Sequence, residues 1–140
     1  MLKTNTRENK VRDFHVAMGL PVNYESHTSL LELRKRLIQE ETNEVLEALE
    51  DIQVDHAYSK PVSDIKWENL LKELCDLQYV LSGTLVSLRR LNSVDFDVAF
   101  NRVHKSNMSK LDDKGNPILD NNGKVTKGPN YKKPDLGDCI

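Results

Sequence analysis

Two acidic pairs share one spacing in this chain: Glu41-x-x-Glu44 and Glu73-x-x-Asp76. Each pair falls in a segment with helical periodicity. An i, i+3 spacing puts both carboxylates of a pair on one helical face. Two such helices set face to face would converge four carboxylates on one point. Carboxylates at that density repel one another unless a divalent cation sits among them. An all-oxygen ligand set suits a hard cation, Mg2+ or Mn2+.

The elements that must position these acids follow from the hydrophobic pattern. Thr6 to Met18 reads as a first helix, with Val11, Phe14, His15 and Met18 at helical spacing, ended by Gly19-Leu20-Pro21. Thr28 is the expected N-cap of a long amphipathic helix running to about Ile52. Its stripe is Leu30, Leu33, Leu37, then Glu41 and Glu44, then Ala48 and Ile52. The acids stand where the period calls for apolar side chains, which marks them as inward-facing. After a linker over 53–62, Ser63 or Asp64 caps a helix expected to reach about Leu91. Its apolar positions include Trp67, Leu70, Leu71, Leu74, Leu77, Val80, Leu81, Leu85 and Leu88. A fourth helix spans about Val94 to Met108, with Phe96, Ala99, Phe100 and Val103 as its expected buried side. Asn121-Asn122-Gly123 between Ile118-Leu119 and Lys124-Val125-Thr126 signals a short β-hairpin. An extended basic tail follows.

Composition bounds the function classes. The chain has 140 residues and a net charge of −2, with 30% charged residues, and reads as one domain. That balance favours neither nucleic acid nor a membrane surface as partner. No apolar run approaches the roughly 20 residues of a bilayer span. Met1 to Glu8 carries no apolar leader core, so a cytoplasmic location is the default expectation. Cys75 and Cys139 fit neither a disulfide framework nor a zinc pattern, and Cys75 is expected to be buried. No Gly-x-x-x-x-Gly-Lys-Ser/Thr loop is present, which excludes a P-loop origin for triphosphate chemistry.

The motif extends into a resemblance. Gln39-Glu40-Glu41-Thr42-Asn43-Glu44, then Lys72-Glu73-Leu74-Cys75-Asp76 after 28 intervening residues from Glu44 to Glu73, resembles the E-x-x-E…E-x-x-D signature of the all-α nucleoside triphosphate pyrophosphatases. This is the MazG-like superfamily, which includes phosphoribosyl-ATP pyrophosphohydrolase. Ala99 to Lys110 and Gly123 to Tyr131 are similar to later segments of the same branch. The resemblance implies one all-α domain over 1–140, a four-helix bundle with a helical core of about 6–110 and a hairpin and tail over 111–140. It implies Mg2+-dependent hydrolysis of a nucleoside triphosphate between its α and β phosphates, and a homodimer. Glu41, Glu44, Glu73 and Asp76 match the metal-binding acids. Glu40 matches an acid that orients or deprotonates the attacking water. Asn107, Lys110, Lys127 and Tyr131 match positions near phosphates and nucleotide.

Plainer readings stand beside these. One acidic i, i+3 pair is usually a solvated helix face, and two at stripe positions reverse that preference. Glu40 reads equally as a surface acid, Lys110 and Lys127 as solvated tail lysines, and Tyr131 as a packing residue. His15 and His104 read as packing histidines, and Trp67 as a packing or interface aromatic. Val80, Leu81, Leu85 and Leu88 form apolar surface beyond what one subunit covers. Phosphoribosyl-ATP is the second substrate candidate. A metal- or nucleotide-binding regulator without turnover, or a purely structural bundle, are the readings from other classes.

Overall fold

The computed structural model describes residues 6–140. The start of the segment read for a leader, residues 1–5, lies outside the described residues. The chain divides into two compact units, Met1–Asn92 and Ser93–Ile140. All regular structure in the described residues is helical.

Helix α1 spans Arg7–Met18. Thr6 caps it, its hydroxyl accepting from the Asn9 N–H at 3.2 Å. Gly19 ends it in the left-handed region at φ +67°, where a side chain would be strained. Helix α2 spans Thr28–Ala57, 30 residues or about 45 Å at 1.5 Å per residue. Its cap is His27, whose Nδ1 accepts from the Leu30 N–H at 3.3 Å. The expected cap, Thr28, is instead the first helical residue. The helix also runs five residues beyond Ile52, because the sequence after it contains no breaker before Tyr58.

Helix α3 spans Asp64–Ser87, and a single turn, α4, covers Arg89–Asn92. The break at Leu88 replaces the expected unbroken run to Leu91. The Tyr24 segment causes it by taking the backbone groups there: Tyr24 N–H donates to the Ser87 carbonyl at 2.8 Å, and Arg89 N–H to the Tyr24 carbonyl at 2.9 Å. The Arg12 guanidinium then ties α4 to α1 through the Asn92 side chain at 2.7 Å.

In the first unit α3 packs against both α2 and α1. Val45, Ala48, Ile52 and Leu70 form the buried cluster between α2 and α3, with Val62 and Leu77 against it. Fully burying one such side chain stabilises by roughly 1.5–3 kcal/mol. Toward α1, helix α3 presents the small buried residues Ser82, Gly83 and Ser87. They admit Val11 and His15 of α1. His15 is therefore a core histidine. Its Nδ1 lies 2.9 Å from the Pro21 carbonyl, which can only accept, so Nδ1 carries the proton. Arg34 of α2 is also buried. Its guanidinium donates to the Val80 carbonyl at 2.7 Å and the Thr84 hydroxyl at 3.2 Å.

The second unit begins with α5, Phe96–Met108, capped by the Asp95 carboxylate, which accepts from the Val98 N–H at 3.2 Å. The expected buried side of this helix is not buried. Phe96 and Phe100 are exposed, their rings tilted against each other with centroids 6.3 Å apart, and Ala99 and Val103 are half-buried. Ser106 is the buried residue of α5. A short 3-10 turn, Gly137–Cys139, closes the tail.

The expected β-hairpin is not formed. Among the described residues there is no strand, only an isolated antiparallel bridge between Leu119 and Val125. What the Asn-Gly signal encodes is a tight loop. The Asp120 carboxylate accepts from the Asn122 and Lys124 N–H groups, both at 2.9 Å, and Gly123 sits at φ +77°. Leu119 and Val125 stay about half exposed, so no apolar face exists to extend the ladder. Cys75 also departs from expectation and is exposed.

Candidate metal centre

Helices α2 and α3 bring three of the four motif acids together. Glu41, Glu73 and Asp76 each offer a carboxylate oxygen, and these oxygens lie within 4.8 Å of one another. Glu73 is buried, and Glu41 and Asp76 are partly buried. The positions follow from helix geometry: Glu41 is one turn from the core residue Val45, and Glu73 is three residues from Leu70. The buried cluster that joins the two helices therefore aims both acids at the same seam.

The fourth acid, Glu44, expected to face inward, is exposed on α2 and is linked to the group through Glu73. A carboxyl hydrogen bond to Glu73 raises its proton affinity above the ordinary glutamate value, and the negative charge of Glu41 raises it further. Glu44 and Glu73 share a cleft of about 430 Å3 with Glu47, Asp51, Asn69 and Lys72.

Lys72 is a site residue that the periodicity did not single out. Its ammonium stands 3.2 Å from Glu73 Oε1 and 2.9 Å from Asp76 Oδ2. These two carboxylates push its proton affinity above the ordinary lysine value, Asp76 foremost. The signal was present in the sequence as a cation next to Glu73 and four residues before Asp76.

The donor set fits a divalent cation. Glu41 Oε2 is buried with no hydrogen-bond partner, the sole such side-chain atom among the described residues. A buried carboxylate oxygen left unpaired is costly. Opposed oxygens on one Mg2+ stand about 4.2 Å apart, at about 2.1 Å each from the ion. The three carboxylate oxygens lie within 4.8 Å of one another, close to that span.

The structure does not bring Glu40 into this group. It lies 3.8 Å from the Arg36 guanidinium, on a shallow cleft with Glu32, Lys35 and Gln39. The other four expected residues belong to the second unit. Lys127 and Tyr131 are brought together, the ammonium 4.8 Å from the ring centroid. The Asn107 carbonyl accepts the Lys110 N–H at 3.2 Å as α5 ends, leaving the Asn107 side chain exposed. The Lys110 carbonyl lies where a Cβ on Gly128 would meet it at 2.9 Å, so glycine lets the tail cross there.

Among the described residues, no helix is long and apolar enough to cross a membrane. No curated protein matches the chain. A family model does, over residues 11–107, which is 97 of the 140 residues and includes both acid pairs and nearly all of α5. Its description is phosphoribosyl-ATP pyrophosphohydrolase.

Proposed function

The chain belongs to the phosphoribosyl-ATP pyrophosphohydrolase family, and from that premise we propose that it hydrolyses nucleoside triphosphates between the α and β phosphates, releasing monophosphate and pyrophosphate. The coarser statement, a pyrophosphohydrolase of the MazG-like superfamily, is given by the family itself. The observation that supports metal-assisted hydrolysis is the convergence of Glu41, Glu73 and Asp76 around a buried, partnerless Glu41 oxygen.

Glu41, Glu73 and Asp76 would hold the cation, Mg2+ or Mn2+, with Glu44 beside them through its hydrogen bond to Glu73. Such an ion would supply Lewis-acid charge neutralisation for phosphoryl transfer. The protein's own groups do the rest. Glu40, which faces Arg36 rather than the acid cluster, would have to leave that pairing to orient or deprotonate an attacking water. Within the second unit, Asn107, Lys110, Lys127 and Tyr131 are the candidates the family resemblance offers for phosphate and nucleotide contacts. Lys72 holds the carboxylates in place until the ion competes for them. The working protein is a homodimer in the cytoplasm. Of the apolar residues expected to lie uncovered, Leu81 is exposed while Val80, Leu85 and Leu88 are half-buried, and Leu81 with Trp67 and Leu71 of α3 would supply apolar surface for that contact.

Phosphoribosyl-ATP is the second reading, favoured by the description of the matching family model. Both are tested by pyrophosphate release with Mg2+ from a panel of ribo- and deoxynucleoside triphosphates and phosphoribosyl-ATP, beside Glu73→Ala. Turnover of one or more triphosphates that Glu73→Ala abolishes supports the first reading. Turnover of phosphoribosyl-ATP alone selects the second, and silence on every substrate rejects both.

A further inference from the structure

The three gathered acids stand between two fastenings of α2 to α3. On one side is the apolar cluster of Val45, Ala48, Ile52 and Leu70. On the other is Arg34, the one buried residue of α2 between Leu30 and Val45. Along α2, Glu41 comes seven residues after Arg34 and four before Val45, so all three share a face. Along α3, Glu73 comes three residues after Leu70, and Asp76 four before Val80.

The Arg34 fastening is a closed ring of hydrogen bonds. Nη2 donates to the Val80 carbonyl at 2.7 Å, and Nε donates to the Thr84 hydroxyl at 3.2 Å. That hydroxyl donates in turn to the same Val80 carbonyl at 3.0 Å. Two donors of one planar fork therefore meet two acceptors on α3, which fixes the guanidinium in distance and in position along the helix. Gly83 keeps the space open, since a Cβ there would stand 2.7 Å from Nη2. Glycine weakens a helix at mid-length, and here it admits the guanidinium.

No ion pair among the described residues involves Arg34. Its charge is buried at a cost, and burial lowers its proton affinity. An apolar side chain would join the two helices without that cost. Apolar contact is non-directional, however, and does not select one register.

We infer that Arg34 is a positioning residue for the acid seam: its clamp on Val80 and Thr84 sets the separation and register at which Glu41 faces Glu73 and Asp76. The inference rests on the metal-centre reading of those acids. Oxygens within 4.8 Å of one another leave little slack for an ion that holds opposed oxygens about 4.2 Å apart.

Calorimetric titration of the full chain with Mn2+ tests it, at a temperature where circular dichroism shows each variant folded. Arg34→Lys and Thr84→Val both break the ring and keep every charge, so a change in affinity reports position. Val11→Ala, a cavity in the buried contact of α1, controls for lost stability alone. Arg34→Lys weakens Mn2+ binding about tenfold, as loss of a supporting partner does at metal sites. Thr84→Val weakens it in the same direction and carries the test if Arg34→Lys does not fold. Val11→Ala keeps wild-type affinity. Wild-type affinity in the ring variant that carries the test, or equal weakening in Val11→Ala, overturns the inference alone, provided that Glu73→Gln loses Mn2+. No Mn2+ binding by wild type, or undiminished binding by Glu73→Gln, overturns the metal centre and this inference with it.

Discussion

Replacing Glu41 by Gln should make the metal-free protein more stable and the metal-loaded protein less so. In chelator, Glu41 Oε2 is buried without a partner and shares 4.8 Å of space with two other carboxylates. An unsatisfied buried polar atom costs about 1–3 kcal/mol. A glutamine there removes one negative charge and offers two N–H donors to the neighbouring carboxylates. Allowing for the partial exposure of Glu41, the expected gain is about 1–2 kcal/mol. For a chain of this size that raises Tm by roughly 3–8 °C. Adding Mg2+ to a hundredfold excess over its Kd stabilises wild type by about 2.7 kcal/mol. The variant, short of one ligand charge, recovers only a small part of that, so the stability order of the two proteins inverts. Differential scanning calorimetry with chelator and then with Mg2+ reads both halves. A variant that melts below wild type in chelator, or one that gains as much from Mg2+, would refute the reasoning.

Glu44, with its proton affinity raised by Glu73 and Glu41, binds its proton more tightly folded than unfolded. In chelator its contribution to stability is present below the ordinary glutamate range and is lost as pH rises through its raised titration. Melting temperature measured from pH 4 to 7 should show that fall, and Glu44→Gln should flatten it. Lys72→Met removes an ammonium that competes for Glu73 and Asp76, so Mn2+ or Mg2+ binds more tightly, by several-fold at low salt, in a calorimetric titration. A Cβ on Gly83 would stand 2.7 Å from Arg34 Nη2 and 3.1 Å from His15 Nε2. Gly83→Ala therefore displaces the guanidinium from the Val80 carbonyl, at about 1.5–3 kcal/mol, against about 1 kcal/mol of helix propensity gained. Its denaturant midpoint should fall, and a rise would show that Arg34 repacks freely.

The helices and the acid motif were legible because both rest on one period. Glu41 and Glu73 interrupt an apolar stripe, and the stripe itself tells which way they face. Arg34 was not legible. It stands two turns before Glu41 on the same face, and hydropathy reads any arginine as solvated. Its burial depends on a carbonyl and a hydroxyl supplied by α3, and no local pattern in α2 encodes them. The break at Leu88 was hidden for the same reason, since the Tyr24 segment that takes its backbone groups is distant in sequence. The hairpin failed differently. Asp120 and Gly123 do encode a turn, but a turn makes a ladder only when the flanking side chains have something to cover, and Leu119 and Val125 do not.

The short link over 58–63 between α2 and α3 is stapled by Lys66, which contacts Asp51 at 3.0 Å and Asp55 at 2.7 Å. It joins the two halves of the acid motif by a loop that closes in well under a microsecond. Contacts this local form early, so α2 and α3 zip together near the rate-limiting barrier of folding. Refolding rates of Glu41→Gln test whether the crowding of Glu41, Glu73 and Asp76 is already felt in the transition state. Neutralising one of these acids, or supplying a divalent cation, should speed refolding itself, where most stabilising changes act only by slowing unfolding.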